Sequence, residues 1–382
     1  MLPYGRHAID DEDIAAVVEV LRSDRLTTGP MIARFEEAVC RKAGAAHGVA
    51  VSSGTAALHC VLHAAGVRSG DEVIVPTMTF AATANAVLYQ GAHAVFCDVE
   101  PDSLLIDPVK IEPLITPRTR AVIAVDYAGQ PCDYDTLRTI CDAHGLTLIA
   151  DACHSLGAAY RGVPVGSLAD ATVFSFHPVK PVTGGEGGMV VTDNASWAER
   201  MRAFRHHGIV QDVGRREATG SWFYEMTELG YNYRLTDIQS ALALSQLRHL
   251  DAWTARRRDL AERYTTALKQ LPMIQPLARR DDVDHAYHLY VVQIDGMGRL
   301  CRQHFFDSLR RRGIGAHVHY IPVHLHPYYR RHGGTTVGQC PVAERAYGRI
   351  LTLPLFASMT DEDQDRVIEA LDDIVAGRSA AA

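Results

Sequence analysis

Between Ala46 and Asp193, short runs of β-branched residues alternate with helical stretches, and this alternation restricts the fold more than any other property of the chain. HGVAVSS reads as a strand and GTAALHCVLHAAGV as a helix. EVIVPTMT, FAATANAVLYQGA and HAVFCDV continue as strand, helix, strand, and RAVIAVDYAG, YDTLRTICDAHG and LTLIADAC repeat the unit. Strands separated by helices of this length need right-handed crossovers, which build a mostly parallel sheet covered on both faces. ATVFSFHP and GGMVVTD come with no helix between them, so they are expected to pair locally as a hairpin-like addition. The class is α/β, with a doubly wound large domain.

The pattern changes after Thr236. TDIQSALALSQLRHLDAWTARRRDLAERYTTALKQL carries apolar residues at helical spacing over many turns, with Asp237 near the N-terminal cap. It predicts one long helix linking two domains. HAYHLYVVQI, CRQHFFDSLRRRG, GAHVHYIPV and a closing helix around DEDQDRVIEALDDIV read as a smaller α/β domain. A chain of 382 residues is too long for one small core, and the division is drawn at 1–245 and 246–382. The stretch from Gln211 to Met226 has no clear pattern and reads as a lid or a subunit contact, while the terminal SAAA is expected to fray.

Charge excludes some classes of partner. The net charge is -7 and no basic stretch stands apart, which argues against nucleic acid or an anionic membrane. The densest cationic run, Arg256-Arg257-Arg258, lies in helical sequence and reads as a solvated face. Eight cysteines are scattered without CxxC pairs or zinc spacing, as suits free thiols in a reducing cytoplasm. No signal peptide is visible, and no run of about eighteen apolar residues predicts a membrane span. His317, His319, His324 and His326 alternate and would place several imidazoles on one strand face. Without a matching carboxylate or a helical HExxH, no metal is expected there.

Ligands of such sheets sit outside the carboxyl ends of the strands, and three polar signals fall at such ends. Ser52-Ser53-Gly54-Thr55 follows the first strand and opens a helix, where backbone N–H groups and the helix dipole favour an anion, although a plain turn and cap explains it as well. Asp151 closes the strand LTLIAD. A buried carboxylate needs a partner, either a protonated pyridine nitrogen or the N–H groups of the following turn. The third signal decides between these. Lys180 sits between Phe174-Ser175-Phe176-His177-Pro178 and the glycine-rich Gly184-Gly185-Glu186-Gly187-Gly188. A lysine held in such a site can lose its proton and attack a carbonyl.

The segment DACHSLGAAYRGVPVGSLADATVFSFHPVKPVTGGEGGMVVTD closely resembles the DegT/DnrJ/EryC1/StrS sugar aminotransferases, and the resemblance extends over nearly the whole chain. LTTGP at Leu26 to Pro30, SSGTAALH at Ser52 to His59, PTMTFAATANAV at Pro76 to Val87 and ITPRTRAVIAVDYAGQPCD at Ile115 to Asp133 belong to it. So do RHHGI at Arg205 to Ile209, LGYNYRLTDIQSALALSQL at Leu229 to Leu247 and HVHYIPVH at His317 to His324. The resemblance implies fold type I, the aspartate aminotransferase-like fold, with a seven-stranded, mostly parallel sheet in the large domain. It also implies pyridoxal 5'-phosphate, carried as a Schiff base on Lys180 and converted to pyridoxamine phosphate during turnover. Asp151 matches the carboxylate that pairs with the pyridine nitrogen, and His154 the polar residue near the ring and its 3'-oxygen. Phe80 matches the aromatic residue that stacks on the ring. Gly54, Thr55 and Ser175 match phosphate ligands, and Asn232 an asparagine reaching the phosphate from a neighbouring subunit. A homodimer with shared active sites follows, with Thr28, His319 and Tyr320 as candidates for lining the substrate cleft.

Lysine at position 180 separates the chain from the branch that carries histidine there and dehydrates sugars. Pro181 directly after it, PYGRH at Pro3 to His7 and VDYAG at Val125 to Gly129 resemble the pseudaminic-acid branch. Enzymes of that branch transaminate C4 of a UDP-linked 4-keto-6-deoxy-N-acetylhexosamine with glutamate as donor. The alternatives are a transaminase for another nucleotide 3- or 4-ketosugar, a cofactor-binding regulator without turnover, and a metal-dependent hydrolase using the histidines near His319.

Overall fold

The computed structural model describes residues 1–210, 222–296 and 298–378. Most of the unpatterned Gln211 to Met226 stretch and the SAAA tail lie outside these residues; of the former, Glu225–Met226 pairs with Ile209–Val210.

Seven strands form the main sheet: β1 (His47–Val51), β2 (Glu72–Pro76), β3 (His93–Cys97), β4 (Thr119–Val125), β5 (Thr147–Asp151), β6 (Ala171–Ser175) and β7 (Gly188–Thr192). Their order is β1-β7-β6-β5-β4-β2-β3. Only β7 runs against its neighbours, pairing with both β1 and β6, so the expected hairpin-like pair is present and sits inside the sheet. β2 and β7 are buried at every position, because helices cover both faces of a parallel sheet and leave no polar side.

The helices before and between these strands are α1 (Asp11–Leu21), α2 (Pro30–Ala43), α3 (Gly54–Ala64), α4 (Ala81–Tyr89), α5 (Tyr134–His144) and α6 (Ala195–Phe204). The predicted single long helix is two, α7 (Asp237–Leu247) and α8 (Leu250–Leu268). The break follows a tightened last turn: Arg248 and His249 donate to the carbonyls of Ser245 and Gln246, three residues back, and the Arg248 side chain returns to the same Ser245 carbonyl. Hydrophobic period is the same on both sides of such a break and does not reveal it.

A second, three-stranded sheet is antiparallel: β8 (Ile274–Pro276), β9 (Tyr290–Ile294) and β10 (Ile350–Leu353), with β9 in the middle. α8, α9 (Arg302–Arg311) and α10 (Asp361–Val375) close its core, which includes Leu260, Tyr264, Phe305, Leu309, Val367 and Leu371. Leu2 belongs to that core too, held by backbone bonds with Gly313 and Gly315. The expected strand GAHVHYIPV is not one. Residues 317–322 run as loop, with a single bridge from His317 to Thr352. Among the described residues, no helix is long and apolar enough to cross a membrane.

Asp237 at the start of α7 is 1% exposed, and its carboxylate accepts from the N–H groups of Gly29 (2.7 Å) and Met31 (2.9 Å). It caps α2, whose own cap residue has no side chain, and a Cβ at Gly29 would lie 2.6 Å from the Asp237 carboxylate. Asp237→Ala leaves both donors unpaired and should cost about 1–3 kcal/mol in urea denaturation; a variant within a few tenths of wild type would refute the capping role.

Candidate active site

The carboxyl ends of β1, β2, β4, β5 and β6 deliver the site. After β1, Ser53 caps α3 by accepting from the Ala56 N–H (3.1 Å), and Gly54 begins the helix. A Cβ on Gly54 would sit 3.1 Å from Ser175 Cβ and 3.2 Å from Cys153 Sγ, and one on Gly188 would strike the Ser53 carbonyl. The absence of side chains at these two glycines lets β1, β6 and the turn after β5 converge. Gly54, Thr55 and Ser175 are thus neighbours, at a helix N-terminus whose first N–H groups have no helical partner.

Asp151 ends β5, 6% exposed. One carboxylate oxygen accepts from Thr83 Oγ1 (2.8 Å), and the other from the Cys153 N–H (3.3 Å). Among the described residues no lysine or arginine forms an ion pair with it. Behind it, Asp126 at the end of β4 is fully buried and accepts from Ser155 Oγ (2.6 Å), Tyr134 (2.9 Å) and the Cys132 N–H (3.0 Å). Burial pushes Asp126 up to about 6. This network anchors the 152–155 turn that carries Cys153 and His154.

Lys180 stands at the tip of the loop joining β6 to β7. Phe176 donates to the Gly187 carbonyl (2.8 Å), Gly184 and Thr183 return to the Phe176 carbonyl, and the Lys180 N–H bonds the His177 carbonyl (2.9 Å). Burial lowers the Lys180 pKa, with Cys153 and Asp151 pulling the other way. His154 is 6% exposed; its Nε2 is 3.1 Å from the Tyr320 hydroxyl and its Nδ1 has no partner. Burial, reinforced by Lys180 and His319, holds its pKa well below the ordinary imidazole value, so the ring is neutral. Phe80 caps α4 with its ring 60% exposed, 5.9 Å from that of Tyr320. His319 is buried, with Nδ1 2.8 Å from Thr352 Oγ1, and Tyr127 donates to its carbonyl.

One chain therefore brings together Gly54, Thr55, Phe80, Asp151, His154, Ser175, Lys180, His319 and Tyr320. It does not bring in Thr28 or Asn232. Thr28, with φ of 54°, lines a separate cavity of about 300 Å³ with Glu36, Arg205, His206 and Arg234. Asn232 is exposed and bridges to His206, so these two candidates share a neighbourhood of their own. Nor do the four alternating histidines share one face. His324 lies 2.5 Å from Thr77 Oγ1 and 2.9 Å from Glu344, whereas His317 stacks beside His319 and Tyr4. Thr83 and Cys153 escaped sequence reasoning. Their one signal is a hydroxyl in the otherwise apolar start of α4 and a thiol beside Asp151.

These residues fit pyridoxal phosphate. Asp151 is a buried carboxylate with no lysine or arginine ion pair among the described residues, His154 offers an unpaired nitrogen, and burial biases Lys180 toward its neutral amine. Gly54 keeps the α3 terminus open, and Phe80 offers an uncovered ring.

Comparison with known proteins agrees. The model of the DegT/DnrJ/EryC1/StrS aminotransferase family matches residues 7–372. The spore coat polysaccharide biosynthesis protein SpsC of Bacillus subtilis strain 168 is 43% identical over 380 residues, 98% of this chain and 97% of that protein. The putative sugar aminotransferase Spr1654 from Streptococcus pneumoniae, in its PMP-form, superposes with a TM-score of 0.94 at 31% identity, covering 99% of this chain and 100% of that one. Helicobacter pylori PseC, an aminotransferase involved in the biosynthesis of pseudoaminic acid, gives a TM-score of 0.92 at 33% identity, covering 98% and 99%. With its lysine, carboxylate and anion cradle at adjoining strand ends, the chain belongs to the DegT/DnrJ/EryC1/StrS aminotransferase family and is a pyridoxal-phosphate-dependent sugar aminotransferase of fold type I.

Proposed function

We propose that the enzyme moves the amino group of glutamate to the keto carbon, C4, of a nucleotide-linked 4-keto-6-deoxysugar, in the synthesis of an amino sugar for a surface glycan. The observation that supports this reading is the buried Asp151 carboxylate, with no lysine or arginine ion pair among the described residues, near a Lys180 whose charged form burial disfavours. When bound, pyridoxal phosphate supplies an electron sink for the carbon that exchanges its proton. Asp151 would hold the ring nitrogen protonated, and His154 would serve the ring oxygen as a neutral donor or acceptor. Gly54, Thr55 and Ser175 would hold the phosphate, and Phe80 would cover the ring. Lys180 Nζ would take the proton from the α-carbon of glutamate, whose amino group stays with the cofactor while water supplies the keto oxygen of the departing 2-oxoglutarate, and would later deliver a proton to the sugar carbon. Burial lowers its pKa and so favours the neutral amine that the first transfer needs.

Thr28, His319 and Tyr320 are assigned to the sugar cleft. The working unit is a homodimer in which Asn232 reaches the partner's phosphate. Its exposure, and that of Trp222, Met226 and Leu229 (80%, 65% and 77%), supports this arrangement. The division into domains 1–245 and 246–382 falls close to the break between α7 and α8, which follows Leu247, while Leu2 packs in the second core. Likeness to PseC and the motif Lys180-Pro181 favour a UDP-linked N-acetylhexosamine, whereas SpsC likeness favours a spore-coat-type sugar, so the acceptor is chosen by experiment.

That experiment incubates the enzyme with pyridoxal phosphate, glutamate and a panel of UDP- and TDP-linked 4-ketosugars, the corresponding 3-ketosugars and the same ketosugars without a nucleotide. Mass spectrometry follows the amino sugar and 2-oxoglutarate in equal amounts. Amination of a 4-ketosugar supports the reading, while turnover confined to 3-ketosugars or to sugars without a nucleotide overturns it.

A further inference from the structure

Arg257 contradicts the expectation of a solvated arginine face. Arg256 pairs with Asp361 and Arg258 donates to the His285 carbonyl, but Arg257 turns inward and is only 3% exposed. One guanidinium nitrogen donates to the carbonyls of Tyr287, His288 and Leu355, at 3.1 to 3.4 Å, and no carboxylate among the described residues pairs with it. A buried cation without a counter-charge is costly.

Its surroundings have the same deficit. Among the described residues six buried side-chain polar atoms lack a hydrogen-bond partner, and four of them fall in this region: Arg257 Nε, Thr254 Oγ1, His288 Nδ1 and His154 Nδ1. Thr254 lies one turn before Arg257 on α8 and is 4% exposed, as is His288. The elements that carry them pack on one another. The His288 carbonyl binds Arg257, the His154 and His288 rings are 4.5 Å apart, and a Cβ on Gly157 would lie 3.1 Å from Thr254 Oγ1. The titratable groups that bear on His288 are Lys180, His154, Arg257 and His319, and none of them is an acid. An arginine N–H, a threonine hydroxyl and an imidazole nitrogen can all donate, and none brings negative charge.

We propose that Arg257, Thr254 and His288 form a buried site for a small monovalent anion of the halide class, placed between α8 and the turn that carries His154. The anion supplies the counter-charge that Arg257 lacks and accepts the unpaired donors. By bridging α8 and the segment around His288, it braces the wall behind His154. An internal water would accept the same bonds but leave the guanidinium charge unbalanced.

Bromide is the probe. Crystals of the cofactor-loaded enzyme soaked in sodium bromide should show an anomalous peak within hydrogen-bond distance of Arg257 Nε and Thr254 Oγ1. In solution, sodium chloride should raise the Tm of wild type by about 2–4 °C over sodium gluconate at equal ionic strength. Arg257→Met should abolish that difference. Should that variant not fold, Thr254→Val, which keeps the shape and removes the hydroxyl, should reduce it and weaken the bromide peak. Density for water alone without an anomalous signal, or equal Tm values in the two salts, overturns the site.

Discussion

Lys180→Ala is expected to lower turnover by roughly 10²- to 10⁴-fold through the loss of proton transfer alone, and further through loss of the cofactor linkage. The fold should survive, since Lys180 is half-buried, its surroundings disfavour the charged form, and its side chain has no hydrogen-bond partner among the described residues. Lys180→Arg is the sharper variant. It keeps charge and approximate volume, but a guanidinium does not give up its proton in a protein, so it should be as inactive as the alanine. Single-turnover rates with glutamate, together with circular dichroism, measure both effects. Turnover within tenfold of wild type in either variant would remove Lys180 from the chemistry.

The second large effect is loss of stability in mild acid. His59, His154, His285, His288 and His319 are buried, and burial lowers the pKa of each: to about 4 for His59, to about 3 for His285 and His319, and well below the ordinary value for the other two. Hydrogen bonding agrees for His285, whose Nδ1 accepts the Tyr287 N–H (2.8 Å) and so needs the neutral ring. The same side chains titrate near 6.5 when unfolded. Their contribution is therefore present above that value and is lost as pH falls toward the folded values. Asp126 opposes them, because its raised pKa means that protonation favours the folded state below about 6. Five histidines against one aspartate leave a net uptake approaching four protons on unfolding near pH 5, or at most about 5 kcal/mol per pH unit. Urea denaturation at intervals from pH 7.5 to 5 should show a steep fall. His285→Phe, which removes one titrating ring away from Lys180, should make it shallower. A flat profile across that range would contradict neutral burial of these rings.

What the sequence reveals and what it conceals follow from the physics of each signal. A strand buried on both faces is a continuous apolar run, so β1 to β7 are legible, and Lys180 is legible because glycines seldom flank a surface lysine so densely. Arg257 is concealed: nothing in a run of three arginines tells which one faces the interior of a helix packed on two sides. The break at Arg248 is hidden because two helices in series keep one hydrophobic period. HVHYIPVH alternates as a strand does, yet its histidines are fixed by Thr352, Thr77 and Glu344, which lie far away in sequence. Thr83 supports Asp151 from a mostly apolar helix, and long-range partners of that kind leave no local trace.

The central claim, that Lys180 carries the cofactor, is tested most directly by borohydride reduction of the loaded enzyme followed by proteolysis and peptide mass mapping. A pyridoxyl label is expected on the peptide containing Lys180 and on no other, abolished in Lys180→Ala. A label on Lys42, Lys110 or Lys269, or none on wild type that binds the cofactor, would contradict it.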